Sequence, residues 1–473
     1  MQMRIFTFQD QLSFAELSGD NNPLHLDEVV ARRCLFGRPV IHGVHLLLWS
    51  LNGWLQEKCA PITLRSLKAN FLKPAGLNET VQYSIIAEKE GWVKIEVVAA
   101  GAVSARIVCE WVATKCRHLI DIPNQFPELH APRVVSPDKL AAQSGTLGLF
   151  LHTEAVTHFF PHLMRCFSPS EIGVMLATTR LVGVECPGLN SVYSDLSLLA
   201  DNCVDEAVLA YRVTSIDERF NLVCMQVNAP SLSGKVRAFI RPAPHSQAAY
   251  TLLQPSIGER EFAGQRALIL GGSRGLGEVT AKILCAGGAE VKLTYYLGET
   301  DARLIVNEIT RHGGKAGSFH YDALNPDGPA LAAALHEWRP THLYYFATPF
   351  ISVSPKREFS SGIFEKFSDY YVVGFASLID QLRKFGLKYV FYPSTVYVDE
   401  MSADFVEYAK AKAAGEALCA SYQKNYPGMI FYCPRLPRMA TDQTSGLLAV
   451  QNPDPSPIMI NFLRNFRDCK MMA

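Results

Sequence analysis

The stretch FAELSGDNNPLHLDEVVARRCLFGRPVIHG, residues 14–43, places an acid, an imidazole and a glycine just ahead of a buried helix. Asp20 and His25 flank a short turn, and Gly43 leads directly into the apolar run VHLLLWSLNGWLQ (44–56), which predicts a helix. A glycine at a helix start lets a backbone N–H approach a ligand at the positive end of the helix dipole. That arrangement suits the enolate oxygen of a thioester, while Asp20 and His25 would act on the Cα proton and on water.

Four β-rich segments follow this helix, and the same order recurs about 126 residues later. The second helix is SEIGVMLATTRLVGVE (170–185), which four further strand-like segments follow. A buried helix followed by neighbouring strands predicts an antiparallel α+β unit, and its recurrence predicts a duplicated unit packed as a pseudo-dimer. The alternative is two unrelated α+β segments. The predicted units span 1–125 and 126–245.

The first unit resembles the MaoC-like family of (R)-specific enoyl thioester hydratases and dehydratases over the motif quoted above. The resemblance implies a hotdog fold, in which an antiparallel sheet wraps one long helix. It puts the catalytic acid, the catalytic histidine and the oxyanion amide at Asp20, His25 and Gly43, and the family's structural asparagine and proline at Asn22 and Pro23. Without it, a capping aspartate and a packed histidine beside an ordinary turn would explain the same residues.

The second unit lacks this chemistry, because no Asp-x4-His and no His-Gly precede its helix. His158 and His162 stand four residues apart in HFFPHLMRCF, but a metal site needs further ligands. We interpret both as packed or partly exposed histidines and predict no metal site. The second unit is predicted to be a non-catalytic hotdog half that completes the sheet and forms one wall of an acyl tunnel.

A different pattern begins after a segment rich in Pro, Ala, Ser and Gln, which we interpret as a linker over 246–263. From 264 to 473 strands and helices alternate, which predicts a parallel sheet covered on both faces. The predicted fold class is therefore an α+β double hotdog followed by an α/β Rossmann-type, doubly wound parallel sheet.

Two motifs lie in this third region. The turn ALILGGSRGLGE (267–278) carries Gly271, Gly275 and Gly277 between a strand and a helix, which lets a dinucleotide pyrophosphate approach the helix N-terminus. Tyr408 and Lys412 lie one helical turn apart, so their side chains share a face and the ammonium can lower the pKa of the phenol. Ser394, upstream, can hydrogen-bond a substrate oxygen.

Together these motifs resemble the short-chain dehydrogenase/reductase family over about 264–450, which implies catalytic roles for Ser394, Tyr408 and Lys412. The sequence departs from the family pattern at several positions. Leu270 replaces a threonine, Ala347–Thr348–Pro349 replaces Asn-Ala-Gly, Tyr371 replaces the helix asparagine, and CPRLPRMAT replaces a proline-glycine segment. A weak or repurposed reductase is therefore the alternative.

The cofactor preference is predicted from the end of the second strand of this region. Tyr295 and Tyr296 stand where NAD-preferring proteins carry an acid, and Arg274 could meet a 2′-phosphate, so NADPH is favoured over NADH. A solvated turn residue is the other interpretation of Arg274. The predicted cofactor-binding residues are Gly271, Ser273, Arg274, Gly275, Leu276, Gly277, Tyr295, Asp322, Ala347, Lys412 and Thr441.

Bulk composition predicts a soluble, cytoplasmic protein. Of the 473 residues 48% are apolar, and 45 Lys plus Arg balance 45 Asp plus Glu, which gives no field for nucleic acid or for an anionic membrane. The 12 cysteines are scattered and are predicted to be reduced thiols, because no secretion signal accompanies them. The predicted partner is acyl-coenzyme A or acyl carrier protein, and a homodimer is left open.

The two resemblances imply consecutive chemistry: reduction of a 3-oxoacyl thioester, then dehydration of the 3-hydroxyacyl product. The degradative direction uses the same catalysis. The alternatives are a dehydratase joined to a degenerate nucleotide-binding scaffold, and a non-enzymatic docking protein for acyl carriers. Arg32, Arg33 and Arg38 either meet a phosphopantetheine phosphate or are plain surface arginines.

Overall fold

The computed structural model describes residues 2–58, 60–114, 120–201, 206–351, 359–400, 402–446 and 450–469. The chain divides into two compact units. From here on the first unit is Met1–Ala243 with Gly446–Ala449, whose two halves are the segments predicted above as separate units, and the second unit is Pro244–Ser445 with Val450–Ala473. Among the helices in these described ranges, none is both long enough and apolar enough to cross a membrane.

The first unit consists of short helices and two long ones around a sheet. Its strands are β1 (Gln2–Ile5), β2 (Ile62–Phe71), β3 (Thr80–Lys89), β4 (Trp92–Ala99), β5 (Ala102–Ala113), β6 (Ser144–Gly148), β7 (Ser191–Ala200), β8 (Val208–Asp217), β9 (Leu222–Ala229) and β10 (Leu232–Ile240). Its helices are α1 (Phe8–Ser18), α2 (Pro23–Leu26), α3 (Glu28–Ala31), α4 (Gly43–Trp54), α5 (Pro137–Leu140), α6 (Thr153–Phe159), α7 (Pro161–Cys166) and α8 (Pro169–Arg180). A π-helical turn, Leu181–Glu185, continues α8.

The ten strands form one antiparallel sheet in the order β1-β3-β4-β5-β2-β7-β10-β9-β8-β6. The central pair is β2–β7. On one side β5, β4 and β3 follow, and on the other side β10, β9 and β8 follow, so each half places its fourth, third and second strand in the same order. The predicted recurrence of one helix and four strands is thus confirmed, as α4 with β2–β5 and α8 with β7–β10. The halves share one core, in which Leu47 of α4 and Met175 of α8 are both fully buried.

A buried glutamate connects the two halves. Ser168 and Glu171 form a capping box that starts α8. The Glu171 Oε1 also accepts a hydrogen bond from the backbone N of Leu64 at 2.7 Å, where the β2–β5 register shifts. Because Glu171 is 1% exposed, its carboxylate requires these donors, and they hold α8 against β2.

The second unit has alternating strands and helices. Its strands are β11 (Arg266–Leu270), β12 (Glu290–Tyr295), β13 (Lys315–His320), β14 (His342–Tyr345), β15 (Tyr389–Phe391), β16 (Ser394–Thr395), β17 (Ile430–Tyr432) and β18 (Arg435–Leu436). Its helices are α9 (Tyr250–Leu253), α10 (Gly275–Ala286), α11 (Glu299–Arg311), α12 (Gly328–Leu335), α13 (Ser361–Ser368), α14 (Phe375–Leu382), α15 (Tyr397–Glu400), α16 (Val406–Asn425) and α17 (Pro455–Cys469). A π-helical turn, Asp369–Gly374, joins α13 to α14.

Six of these strands pair in parallel in the order β13-β12-β11-β14-β15-β17, and β16 pairs with β18 beside them. In chain order this is 3-2-1-4-5-6, the arrangement of Rossmann-type sheets, whose strand reversal lies between β11 and β14. The carboxyl ends of those two strands meet at this reversal, where such sheets bind ligands.

The segment predicted as a linker, 246–263, is packed rather than open. Tyr250 and Leu253 of α9 are buried in the core of the second unit, as is Phe262. The Pro- and Gln-rich composition of the segment did not indicate this packing. Burial of three large apolar side chains is enough to hold a segment of irregular backbone against the core.

Candidate active sites

The catalytic acid predicted in the first unit is buried and held by donors from both halves. Gly19 adopts a left-handed conformation that ends α1 and turns Asp20 into the interior, where it is 2% exposed. Its Oδ2 accepts a hydrogen bond from the Thr179 hydroxyl at 2.6 Å, and its Oδ1 lies 3.3 Å from the donating N of Asn22. The carboxylate orientation is therefore set partly by α8 of the second half.

The loop after Asp20 is fastened to the second half as well. The Asn22 side chain accepts from the N of Leu24, which starts α2, and donates to the Gly183 carbonyl at 2.8 Å. A Cβ placed on Gly183 would lie 2.0 Å from Asp20 Oδ1. Only glycine at that position of the π-helical turn leaves room for the carboxylate.

His25 is arranged as a neutral base. Its Nδ1 donates to the Val40 carbonyl at 2.7 Å, which leaves Nε2 to accept a proton. Burial lowers the pKa of His25, and the Asp20 carboxylate opposes part of that shift. For Asp20 burial raises the pKa, which His25 and the Thr179 hydrogen bond oppose. Burial thus raises the pKa of Asp20 and lowers the pKa of His25, which is the divergence expected of an acid and a base that act together.

His42 brings the predicted site residues together. It stacks on His25 with ring centroids 3.7 Å apart, and its Nε2 donates to the Asp20 carbonyl at 3.0 Å. Its chain neighbour Gly43 begins α4, where the first N–H groups have no intrahelical acceptor. A Cβ on Gly43 would lie 2.9 Å from the Phe71 ring, so this position also requires glycine.

Asp20, His25 and His42 each present a potential metal ligand, within 4.8 Å of one another. The His42 Nε2 donates to the Asp20 carbonyl, whereas Nδ1 lies 2.9 Å from Gln11 Oε1, to which a neutral ring that donates through Nε2 cannot also donate. Burial lowers the pKa of His42 well below its usual range, which keeps the ring neutral. Ligation of a metal by the His42 Nε2 would break its buried hydrogen bond to the Asp20 carbonyl.

The histidines of the second half do not form a comparable site. His158 is exposed on α6, whereas His162 lies on α7, and the two helices are separated at Phe160. Their four-residue spacing therefore does not place them on one helix face. The second half contributes Thr179 and Gly183 instead, which sequence reasoning missed because a lone hydroxyl and a glycine carry no motif.

The glycine turn of the second unit forms a tight cradle at the strand reversal. Gly271 has φ +77°, and a Cβ there would lie 2.9 Å from the N of Ala347. A Cβ on Gly277 would lie 2.3 Å from the Gly271 carbonyl, and one on Gly275 would meet Thr441 at 3.8 Å. The predicted cofactor residues of this group converge, and their close backbone contacts fit a bound pyrophosphate.

Other predicted cofactor residues lie in the turn itself or at and just after the ends of β12 and β13. Ser273 is buried, Leu276 packs on the core beside the turn, Tyr295 ends β12, and Asp322 accepts from the N of Leu324 at 2.8 Å. The Arg274 Nη1 lies 3.7 Å from Asp442 Oδ2. A 2′-phosphate at Arg274 would therefore compete with a carboxylate that the sequence did not reveal.

Lys412 and Tyr408 differ from expectation in their electrostatics. Lys412 is 5% exposed, donates to the Pro393 carbonyl at 2.7 Å, and lies 3.9 Å from the centroid of the Tyr371 ring. Burial lowers the pKa of Lys412 to about 7. Burial also raises the pKa of Tyr408, opposed by a hydrogen bond with Thr395. We predicted that the Lys412 ammonium lowers the pKa of Tyr408, whereas burial raises that pKa in this structure.

The catalytic role predicted for Ser394 stays a prediction, and the Ser394 hydroxyl already has a partner within the chain. This hydroxyl donates to the Glu416 carboxylate, which Arg435 also binds at 2.6 Å, whereas the neighbouring Thr395 hydroxyl opposes the rise in the pKa of Tyr408. The hydroxyl that acts on the Tyr408 phenol is thus that of Thr395. Among the departures from the family pattern, Tyr371 hydrogen-bonds Thr348, so these two substitutions contact each other.

Comparison with known proteins gives matches to both regions. Residues 3–107 match the family described as MaoC like domain. A segment of 81 residues is 31% identical to the peroxisomal multifunctional enzyme type 2 of Drosophila melanogaster, covering 17% of this chain and 14% of that protein. A segment of 66 residues is 40% identical to a 3-oxoacyl-(acyl-carrier-protein) reductase of Synechocystis sp., covering 14% of this chain and 27% of that protein.

The matched segments thus span about a seventh and about a quarter of these curated relatives. Among solved structures, a short chain dehydrogenase from Shigella flexneri complexed with NADP is 20% identical, with a TM-score of 0.40, and the match covers 43% of this chain and 92% of that one. Residues 3–107 therefore match the MaoC-like domain model, and a further segment of the chain is similar to a 3-oxoacyl-(acyl-carrier-protein) reductase.

Proposed function

We propose that the chain is a bifunctional enzyme that reduces a 3-oxoacyl thioester and dehydrates the resulting 3-hydroxyacyl thioester. The observation that carries the proposal is the buried group of Asp20, His25 and the Gly43 amide, joined through His42. The halves of the first unit would be two hotdog repeats, of which the first is catalytic. Joining both activities in one chain raises the effective concentration of the shared intermediate.

In the dehydration step the neutral His25 Nε2 would accept a proton while Asp20 acts on the leaving hydroxyl. The Gly43 N–H would stabilise the negative charge that develops on the thioester oxygen. The shifted pKa values support this division of roles, because an uncharged imidazole and a carboxyl that can hold its proton coexist near neutral pH.

In the reduction step NADPH, when bound, supplies hydride. Gly271, Gly275 and Gly277 would hold its pyrophosphate against α10, with Ala347 and Thr441 beside them. Tyr408 would donate its proton to the substrate oxygen, and Thr395 would hydrogen-bond that oxygen or the phenol. Burial keeps Tyr408 protonated, which suits a proton donor.

The carrier is proposed to be coenzyme A or acyl carrier protein. Arg38 already pairs with Glu79 at 2.6 Å, which favours its interpretation as a surface arginine. The proposal is tested by assaying the purified chain with NADPH and 3-oxoacyl thioesters of both carriers, over a range of chain lengths. Product analysis should yield 2-enoyl thioester. Absence of both half-reactions with every thioester would contradict it.

A second candidate is a dehydratase whose C-terminal region is a nucleotide-binding scaffold. The observation that favours it is the contact of Lys412 with the Tyr371 ring, at a position where the related family carries asparagine. NADPH-dependent consumption of a 3-oxoacyl thioester distinguishes the two, because a scaffold does not turn the dinucleotide over.

The Thr179 hydroxyl provides a test of the acid. Thr179→Val removes the hydrogen bond that opposes the raised pKa of Asp20, so that pKa should rise further. A hydrogen bond to a charged group contributes about 1.5–3 kcal/mol, which corresponds to roughly one to two pH units. The limb of the pH–rate profile for dehydration that reflects Asp20 should move upward by that amount.

Thr178→Val is the matched control, because the Thr178 hydroxyl donates to the Met175 carbonyl instead. Its pH–rate profile should coincide with that of the wild type. An unshifted profile for Thr179→Val would mean that Asp20 does not set this limb.

The Arg274 guanidinium provides a test of cofactor preference. Arg274→Ala should weaken NADPH binding roughly tenfold to hundredfold and leave NADH binding nearly unchanged, because a charge-assisted contact is worth about 1.5–3 kcal/mol. Titration of each variant with both dinucleotides measures this. Arg383→Ala, outside the glycine turn, should behave as wild type. Equal losses for both dinucleotides would assign Arg274 to maintaining the turn through Asp442.

A further inference from the structure

The Tyr193 side chain extends from β7 of the second half toward the catalytic residues of the first. Its ring centroid lies 5.1 Å from that of Phe71 in a perpendicular arrangement. Phe71 in turn packs against the Cα of Gly43, where an added Cβ would meet its ring at 2.9 Å. Burial raises the pKa of the Tyr193 phenol, and the Asp20 carboxylate raises it further. Tyr193 therefore lies close to both the catalytic acid and the oxyanion amide.

The hydroxyl of Tyr193 is buried, and among the described residues no partner reaches it with hydrogen-bond geometry. Thr178 is the polar neighbour of the phenol, and since its hydroxyl donates to the Met175 carbonyl at 2.7 Å, it can offer Tyr193 an acceptor only. Leaving a buried hydroxyl without a partner is costly, and phenylalanine would fill the same space without that cost. A hydroxyl kept at this position points to a partner outside the chain.

We propose that the Tyr193 hydroxyl donates a hydrogen bond to the C3 oxygen of the bound 3-hydroxyacyl thioester. This inference rests on the proposed dehydratase function and adds a direct substrate contact from the second half. The thioester oxygen is assigned to the Gly43 amide, whereas the C3 hydroxyl is the group on which Asp20 acts. A donor beside Asp20 would both recognise that hydroxyl and stabilise it as it leaves.

The second half thus takes part in the site in two ways. Thr179 positions the acid, and Tyr193 binds the substrate. The site would be incomplete without the second repeat, although that repeat lacks an Asp-x4-His motif of its own.

The test compares two ligands on the full chain, (R)-3-hydroxybutyryl-coenzyme A and butyryl-coenzyme A, which lacks the C3 oxygen. Tyr193→Phe keeps the ring against Phe71 and removes only the hydroxyl. Affinity for the hydroxyacyl ligand should fall roughly threefold to tenfold, as expected for one hydrogen bond, while affinity for the butyryl ligand stays unchanged. The ratio of the two affinities is a readout that a purely structural role would not change.

Thr178→Val is the control, because it removes the neighbouring hydroxyl and leaves the phenol in place. It should preserve the affinity ratio. Equal weakening of both ligands by Tyr193→Phe, or the same change of ratio in Thr178→Val, would overturn the contact to the C3 oxygen. A wild type that binds both ligands equally well would overturn the contact to the C3 oxygen, whereas a wild type that binds neither ligand would contradict the proposed dehydratase function.

Discussion

Replacing His25 with alanine should abolish dehydration of a 3-hydroxyacyl thioester while ketoreduction continues at the wild-type rate. The only free nitrogen of this imidazole is Nε2, because Nδ1 is committed to the Val40 carbonyl. Loss of a general base costs about 10²–10⁴-fold, and the effect should exceed this range because His25 and Asp20 act on one substrate. Formation of 2-enoyl thioester and oxidation of NADPH, measured on the same preparation, report the two activities.

Asp20→Asn should give a comparable loss, since the amide retains the shape of the carboxylate but cannot exchange a proton. His158→Ala is the matched control, because that histidine is exposed on α6 in the second half. Its dehydration rate should equal that of the wild type. A folded His25 variant that lost both activities would contradict independent sites, and a His158 defect of equal size would contradict a single catalytic half.

The sequence contained enough periodicity to predict both regular parts of the fold. The apolar run 44–56 corresponds to α4, and RALIL and EVKLTYY correspond to β11 and β12. The apolar side chains of these elements recur with the period of a buried helix or form the short apolar runs of parallel strands, and both patterns are visible in the sequence. The packing of 246–263 was not visible in the same way, because Tyr250 and Phe262 are anchors without a period.

The residues that support Asp20 could not be found by local reading. Thr179, Gly183 and Tyr193 follow Asp20 by more than 150 positions, and the pairing of β2 with β7 joins the half that carries them to the half that carries Asp20. Their contributions are a hydroxyl, the absence of a side chain and a phenol. None of these has a spacing rule, so a long-range contact decides the site.

Ser394 and Thr395 illustrate a limit of a different kind. Adjacent residues in a strand point to opposite sides, so a shift of one position exchanges their environments. Ser394 faces Glu416, whereas Thr395 faces Tyr408. Sequence alone identifies a pair of hydroxyls ahead of the Tyr-x3-Lys motif, and the strand pairing of β16 with β18 selects between them.

Tyr408→Phe should reduce ketoreduction by at least two orders of magnitude and leave NADPH binding intact. The phenol is the proton donor in the proposed reduction, and its raised pKa keeps that proton available. The phenylalanine ring preserves the contacts with Phe367 and Tyr371, whose centroids lie 5.6 and 5.8 Å away, so the fold should survive. Single-turnover reduction and NADPH titration measure the two effects separately.

Tyr422→Phe, on the same helix, removes a hydroxyl that bonds the Ala376 carbonyl and should leave reduction unchanged. Lys412→Ala should differ from Tyr408→Phe, because the ammonium fixes the Pro393 carbonyl and, in the related family, contacts the nicotinamide ribose. That variant should lose both turnover and part of the NADPH affinity. A Tyr408→Phe protein that reduces its substrate normally would assign proton donation elsewhere. Failure of the wild type to bind either dinucleotide would mean that Leu270, Thr348 and Tyr371 have converted the region into a scaffold.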